Sequence, residues 1–495
     1  MPVTPGIYIE ENVFPGSAVA VQTAIPVFIG YTEKAESSGQ SLLRQPTRIS
    51  SLQEFHHLFG RDFHRTFNII PARPGSREEV VLLNGINMQV SVNEDQEFFL
   101  YRCMRLFYAN GGLNCLILSV GTYQEQPEGA ASNLDDFLGS DSKSSVFSIL
   151  EKEAEPTLVL LPDLVAKGIA AYLVYQQVLE HCARMQSRFA ILDVFQSDNP
   201  QAAEDVADFR EGIGSNFLSY GAAYYPWLKT VLTSESEIDF TNLDPAVMLE
   251  TLLPEAAAIQ LITEKNMLDV ASLAGKKSII HQTLMACSPT YASVMHAIQS
   301  ARNLLPPSAA IAGIYTQVDI TRGVWKAPAN ISVAAVTAPA LSFSSEQQEQ
   351  FNIDALSGKS INLIRSFPGA GTLVWGCRTL DGNSQDWRFI NTRRTMIMIE
   401  QSLKLACRAF IFEPNHAGTW TAVRSMMENF LTGLWKQGGL QGSVPNDAFH
   451  VQLGPGTTMT EVDVLEGRMR VNILVAIVRP AEFVEITLEQ QQAVS

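Results

Sequence analysis

Hydrophobic and polar positions along this chain fall into two textures. Up to about residue 300, short apolar runs alternate with stretches whose apolar side chains recur every three or four positions. Ile25–Tyr31 is a strand-like run. Ser51–Phe59 reads as a helix, with Ser51 as N-cap and Glu54 completing a capping box. Glu97–Tyr108 is an amphipathic helix stopped by Asn110-Gly111-Gly112, and Cys115–Val120 follows as a buried strand. The same alternation returns in Leu158–Leu161 (strand), Ala166–Arg184 (helix), Phe189–Asp193 (strand), Asp205–Arg210 (helix) and Ala222–Tyr225 (strand). It predicts an α/β (α+β) fold built on a mostly parallel sheet with helices on its faces. Residues 121–150, rich in Ser, Gln, Asp and Gly, read as an exposed loop or insertion. Thr233 to Leu304 reads as helical with polar breaks, ending at a Leu305-Pro306-Pro307 junction.

Beyond that junction the texture changes, with Gly and Pro frequent through 362–382. Two helical patterns follow. One covers Asn391–Arg408; the other is the stripe Trp420, Val423, Met427, Leu431 and Leu434, stopped at Gly438-Gly439. Arg468–Val478 is the clearest strand signal, with Met469, Val471, Ile473, Val475 and Ile477 on one face. Pro480 ends it, and Phe483, Val484, Ile486 and Leu488 carry one last short strand. The other end is as unusual. Pro2 and Pro5 forbid helix, Ile7, Ile9 and Val13 stand against Glu10-Glu11, and turns fall at Pro5-Gly6 and Pro15-Gly16. Residues 1–24 therefore read as an extended segment with little to bury, either an arm or an edge strand of its own domain.

A chain of 495 residues exceeds one ordinary core, so two or three domains are expected. The formal charge of −16 is uneven: from Ser360 onward 12 basic side chains meet 12 acidic ones, while residues 1–359 hold 23 basic and 39 acidic. That acidic front argues against a nucleic-acid binder, which needs a basic surface. No apolar run approaches the roughly 18–20 residues of a membrane span, and Met1–Gly6 lacks the charged and apolar regions of a signal peptide. Synthesis in the cytosol, without signal-peptide export and without direct membrane binding, is the expectation. Six cysteines (103, 115, 182, 287, 377 and 407) lie far apart among apolar neighbours, as buried reduced thiols do.

Candidate chemistry is sparse. His56, His57 and His64, near Glu54 and Asp62, lack the ligand spacing of a metal site. Residues 274–278 (Ala-Gly-Lys-Lys-Ser) end like a phosphate loop but lack its first glycine and a preceding strand. Asp163 and Asp193 each end a strand, where α/β enzymes place catalytic acids, yet no base, nucleophile or glycine loop accompanies them. Turn-forming is their plainer reading. An α/β enzyme using Asp163 or Asp193 stands as the alternative, and no catalytic, cofactor or metal set is predicted.

The order of motifs resembles the contractile tail sheath family of phages, pyocin-like particles and extracellular contractile injection systems. Thr4-Pro5-Gly6-Ile7-Tyr8-Ile9-Glu10-Glu11 and then Ala24–Gly30 are similar to that family's opening. Phe55–Gly60 and Phe107–Cys115 follow, then Pro306-Pro307-Ser308 through Gly313, and Arg322-Gly323-Val324-Trp325-Lys326-Ala327-Pro328-Ala329-Asn330, the most distinctive stretch. Ile361-Asn362, Ile364-Arg365, Trp375-Gly376, Arg378-Thr379-Leu380, Trp387-Arg388, Asn391 and Arg393-Arg394 continue it. Phe412-Glu413-Pro414-Asn415, Phe430-Leu431, Leu434-Trp435 and Arg479-Pro480-Ala481-Glu482-Phe483 close it. Taken singly each is a fold residue; the order is what informs.

The resemblance implies a sheath subunit that polymerises round a rigid tube and contracts to drive the tube through a target envelope. It implies an N-terminal linking arm (1–24), an outer α/β region (25–340, with insertions near 121–155 and 230–300), an inner tube-proximal domain (341–479) and a C-terminal arm (480–495). Strands are lent between neighbours: Ile7, Tyr8, Ile9 and Glu10 from one arm, Phe483, Val484, Ile486 and Leu488 from the other, received beside Met469, Val471, Ile473 and Val475. The helix Thr419–Gly438 resembles the family's tube-attachment helix, with Arg424 and Lys436 as tube contacts. The partners implied are further copies of the chain, an inner tube protein, baseplate and terminal cap proteins, and sister sheath proteins where a particle has them. Assembly in the cytoplasm and work in a phage tail or a released tail-like particle follow, with no cofactor. A non-contractile tail or capsid protein is the other structural alternative.

Overall fold

The computed structural model describes residues 18–482, apart from 75, 77–78, 84, 93–96, 124–132, 141–142, 198–200, 353 and 355. The expected strands Ile7–Glu10 and Phe483–Leu488 therefore lie outside the described residues. The chain divides into two compact units: a larger one of residues 24–321 and 328–390, and a smaller one of 1–23, 322–327 and 391–495.

The larger unit is built on a nine-stranded sheet. Its strands are β1 (Pro26–Thr32), β2 (Thr47–Ile49), β3 (Cys115–Thr122), β4 (Leu158–Leu160), β5 (Phe189–Asp193), β6 (Gly221–Tyr225), β7 (Ile331–Ser332), β8 (Asn362–Phe367) and β9 (Gly371–Val374). Their spatial order is β7-β9-β8-β6-β5-β4-β1-β3-β2. The six strands from β8 to β3 run parallel, while β2 at one edge and β9 and β7 at the other pair antiparallel. The central strands are continuous apolar runs because both faces are covered.

Alternation along each strand sorts side chains onto two cores. Phe28, Ile117, Leu160, Ile191 and Tyr224 join one; Val27, Ile29, Leu118, Val159, Leu192 and Tyr225 join the other. Helices α1 (Leu52–Phe59), α2 (Leu100–Ala109) and α5 (Ser308–Arg322) pack on the first face, with Phe28 edge-on to Phe107 at 5.1 Å. Helices α3 (Ala171–Met185) and α4 (Ala202–Gly212) cover the second. A third core joins the antiparallel strands Phe67–Pro71, Val80–Leu83 and Ile86–Val92 to helices between 249 and 302.

Several expectations are corrected. Ser51 caps α1 through Glu54 N–H (3.2 Å), but the Glu54 carboxylate reaches back to Ser50, accepting its N–H (2.8 Å) and hydroxyl (3.0 Å), so the capping box is displaced by one residue. Residues 133–140 and 143–150 are not all open loop. Short helices at Leu134–Leu138 and Val146–Leu150 bury Phe137, Val146, Phe147 and Leu150 against the sheet. α5 follows the Pro306-Pro307 junction inside the larger unit. Within 341–479, expected as one domain, β8 and β9 extend the main sheet, and the smaller unit resumes at 391.

The smaller unit holds two long helices, α6 (Ile390–Cys407) and α7 (Ala417–Lys436), with a two-stranded antiparallel ladder of β10 (Phe449–Gln452) and β11 (Asn472–Val475). Val423, Met427, Leu431 and Leu434 of α7 share one core with Met398 and Leu403 of α6 and with Val451, Leu453 and Ile477. The stripe read from sequence is the face that builds this core, and Gly438 (φ 81°) ends the helix as expected.

Candidate assembly interface

Met469, Val471, Ile473 and Val475 are half-buried against that core and Ile477 is buried, while Arg468, Arg470, Asn472 and Leu474 are exposed. The alternation read over Arg468–Val478 is therefore real, but ladder pairing is limited to Asn472–Val475, facing Phe449–Gln452. Pairing stops because its partner is short: Gly454 turns the chain (φ 154°) just past β10. Met469 and Val471 lie before the paired segment.

The pairing fixes which backbone groups point where. Ala476 N–H donates to Ala448 O at 2.8 Å, in line with the register Phe449–Val475 and Val451–Ile473. In an antiparallel pair successive residues alternate between facing the partner and facing away. Asn472 and Leu474 thus face β10, whereas Ile473 and Val475 turn N–H and C=O to the opposite edge. On β10, Phe449 and Val451 turn theirs outward. Among the described residues no third strand covers either edge. Such edges are templates for another chain.

The bases of both chain ends lie on α6. Val21 N–H donates to Ser402 Oγ at 3.0 Å, and Arg394 Nη2 donates to Thr23 O at 3.0 Å. At the other end, Asn391 Nδ2 donates to Val478 O at 3.0 Å and to Trp325 O at 2.9 Å. Ala18 and Val21 add apolar contact to the core of the same unit. Sequence reading marked Asn391 and Arg394 only as members of a motif. It missed β10 and Ser402: four alternating residues, Phe449-His450-Val451-Gln452, are too short a signal to stand alone.

The two cations chosen on α7 differ in situation. Both are exposed, but Arg424 Nη2 donates to Leu453 O, a carbonyl on the outward side of β10, while Lys436 sits a dozen residues on at the helix end. They lie about 120° apart round the helix and roughly 18 Å apart along it, so one flat surface does not meet both head-on.

The strand-end carboxylates turn out to be caps. Asp163 accepts N–H bonds from Tyr31 (2.7 Å), Phe99 (2.5 Å) and Leu100 (2.8 Å), holding the start of α2 against β1. Asp193 accepts from Ser308 N–H (2.8 Å) and Oγ–H (2.5 Å) at the start of α5. Complete burial pushes their carboxyls up, to about 6 for Asp163 and about 7 for Asp193, and the donors only partly offset it. His56 Nε2 pairs with Tyr101 Oη (3.1 Å) and His64 Nε2 with Thr241 O (3.0 Å). Residues 274–278 lie inside the helix Val270–Cys287, so no phosphate loop exists there. Among the described residues no group of three or more His, Cys, Asp or Glu is placed to hold a metal ion, and no helix is long and apolar enough to cross a membrane.

Comparison with known proteins bears on this unit first. Residues 383–491 match the family model of the phage tail sheath C-terminal domain. The tail sheath protein of Burkholderia phage BcepMu is 27% identical over 159 residues, 32% of this chain, and the match spans about a third (33%) of that relative's length. Whole-chain likeness is found among solved structures. The PVC sheath complex of an extracellular contractile injection system in its contracted state is 26% identical, with 99% of this chain and 98% of that one covered and a TM-score of 0.62. A chain of the anti-feeding prophage baseplate in its contracted state is also 26% identical, with 99% of both covered and a TM-score of 0.66. Fold, motif order and these likenesses agree: residues 383–491 match the phage tail sheath C-terminal domain, and the chain is similar over nearly its whole length to a contractile sheath subunit.

Proposed function

We propose that the chain polymerises by strand exchange into a cylinder round a rigid inner tube, and that the cylinder shortens to drive the tube through a target envelope. The observation that carries this reading is the unfinished ladder of the smaller unit. Its two strands present outward-turned backbone groups at Ile473 and Val475 and at Phe449 and Val451, and the roots of both chain ends are anchored in the same unit. Added strands bind such edges through main-chain hydrogen bonds. Ile7–Glu10 of one neighbour and Phe483, Val484, Ile486 and Leu488 of another are the strands assigned to them. An arm of about 15 extended residues spans roughly 50 Å, enough to reach an adjacent copy.

In this reading the smaller unit is the tube-proximal part and the larger one the outer part. Lys436 is a freer tube contact than Arg424, whose guanidinium is already engaged by Leu453. Contraction requires an extended cylinder held kinetically above a more stable short one. Inner tube, baseplate and cap proteins are the partners, with assembly in the cytoplasm before the particle acts. A catalytic role is disfavoured because Asp163 and Asp193 spend their oxygens on backbone and hydroxyl donors. Deletion of residues 1–15 tests strand exchange. The truncated chain should fold to a monomer of unchanged unfolding midpoint and form no cylinders; a chain that no longer folds would show the segment to be part of its own domain.

A further inference from the structure

We propose that Asn391 and Arg394 are positioning residues that hold the roots of both linking arms on one face of α6, and so set the directions in which the arms leave the subunit. The two residues are three apart, hence neighbours on one helix face. Both are almost wholly buried, at 1% and 4% exposure, where solvent cannot substitute for their bonds. Asn391 donates to two main-chain carbonyls, and Arg394 Nη2 donates to a third. Asn391 holds Val478, at the start of the C-terminal arm, together with Trp325; Arg394 holds Thr23, at the end of the N-terminal one. Eight residues along, Ser402 Oγ accepts Val21 N–H while giving its own hydrogen to Met398 O at 2.6 Å. The contacts thus fix a chain path, not a surface.

The Asn391 amide is also costly. Both of its hydrogens are used, but Oδ1 is buried without a partner. A leucine of similar volume would avoid that desolvation, so stability alone does not explain an amide there. What the amide adds is direction: one group with two donors ties two separate segments to the first turn of α6. For an arm that must find a neighbour's sheet edge, a fixed root raises the effective concentration of its strand at that edge. This consequence rests on the strand-exchange reading, whereas the anchoring itself does not.

Hydrogen exchange on the full-length, unassembled chain tests the anchoring directly. Asn391→Leu should speed exchange at residues 476–479 about tenfold or more and leave 18–23 as in the wild type. Arg394→Met should do the reverse, and Arg394→Lys should restore much of the protection. The unfolding midpoint should stay near wild type while cylinder yield falls about fivefold or more in Asn391→Leu and Arg394→Met. Wild-type exchange at both roots, or fast exchange spread through α6, would overturn the inference; if Asn391→Leu does not fold, the two Arg394 variants decide it. Should the chain lacking residues 1–15 assemble normally while the roots respond as described, the anchors stand and strand exchange falls.

Discussion

Asp163 and Asp193 sit where an α/β enzyme would place its acids, and here their oxygens accept backbone and hydroxyl donors. Their donors come from far along the chain: Asp163 reaches Phe99 and Tyr31, 64 and 132 residues away, and Asp193 reaches Ser308, 115 residues away. Strand-end position was legible in the sequence; partners at that distance were not. Burial also gives a signed pH effect. For Asp193 the folded value, about 7, lies above the unfolded one, so the native state keeps its proton to higher pH. Stability from this group is full below about pH 4 and is lost as pH rises towards 7. Asp193→Asn keeps an acceptor for Ser308 N–H without the charge. Its unfolding midpoint should fall less than the wild type's between pH 5 and pH 8, by an amount worth roughly 2 kcal/mol, and parallel pH profiles would refute a carboxyl raised by burial. Gly313 gives a second residue-scale prediction. A Cβ there would lie 2.6 Å from Phe107 O and 2.9 Å from Asn110 Cβ, where α5 meets the end of α2. Gly313→Val should destabilise the chain by about 1–3 kcal/mol, measured by denaturant unfolding.

At the scale of elements, the ladder of β10 and β11 makes a prediction that separates folding from assembly. Proline is tolerated in a strand where its missing N–H would have faced an open edge, and not where the ladder needs it. Val475→Pro removes an outward N–H and keeps a side chain of similar bulk. It should leave the monomer's unfolding midpoint within a few degrees and abolish cylinders. Leu474→Pro removes a donor that faces β10 and should lower the midpoint itself, which circular dichroism melting distinguishes. Side-chain alternation made β11 visible in the sequence, but it marks burial of one face and not pairing. That is why eleven alternating residues contain a paired strand of four. Helices α6 and α7 were legible because each buries a stripe over many turns. The clamp formed by Asn391 and Arg394 was not, since its partners Thr23, Trp325 and Val478 are scattered over the whole chain.

For the whole molecule, the front-to-back charge difference read from sequence becomes a difference between units. The smaller unit carries 11 basic and 12 acidic side chains, the larger one 24 and 39, so nearly all of the −16 belongs to the sheet-bearing unit. Packing many such units into a cylinder brings like charges together, and salt screens them within a Debye length of about 10 Å at 0.1 M. Raising NaCl from 20 to 300 mM should therefore lower the protein concentration needed for assembly several-fold, as sedimentation would show; the opposite trend would mean that attractive pairs dominate. The α/β class was readable from alternation, but the division into units was not. Residues 322–327 and 18–23 join a body that otherwise begins at 391, and no composition shift reports such a discontinuity. The most direct test of a contractile sheath is electron microscopy of the purified full-length chain at high concentration. A contractile sheath gives long hollow cylinders, in an extended form when assembled on a tube and a shorter, wider form after triggering. A dispersed monomer, or cylinders whose length and diameter never change, would contradict it.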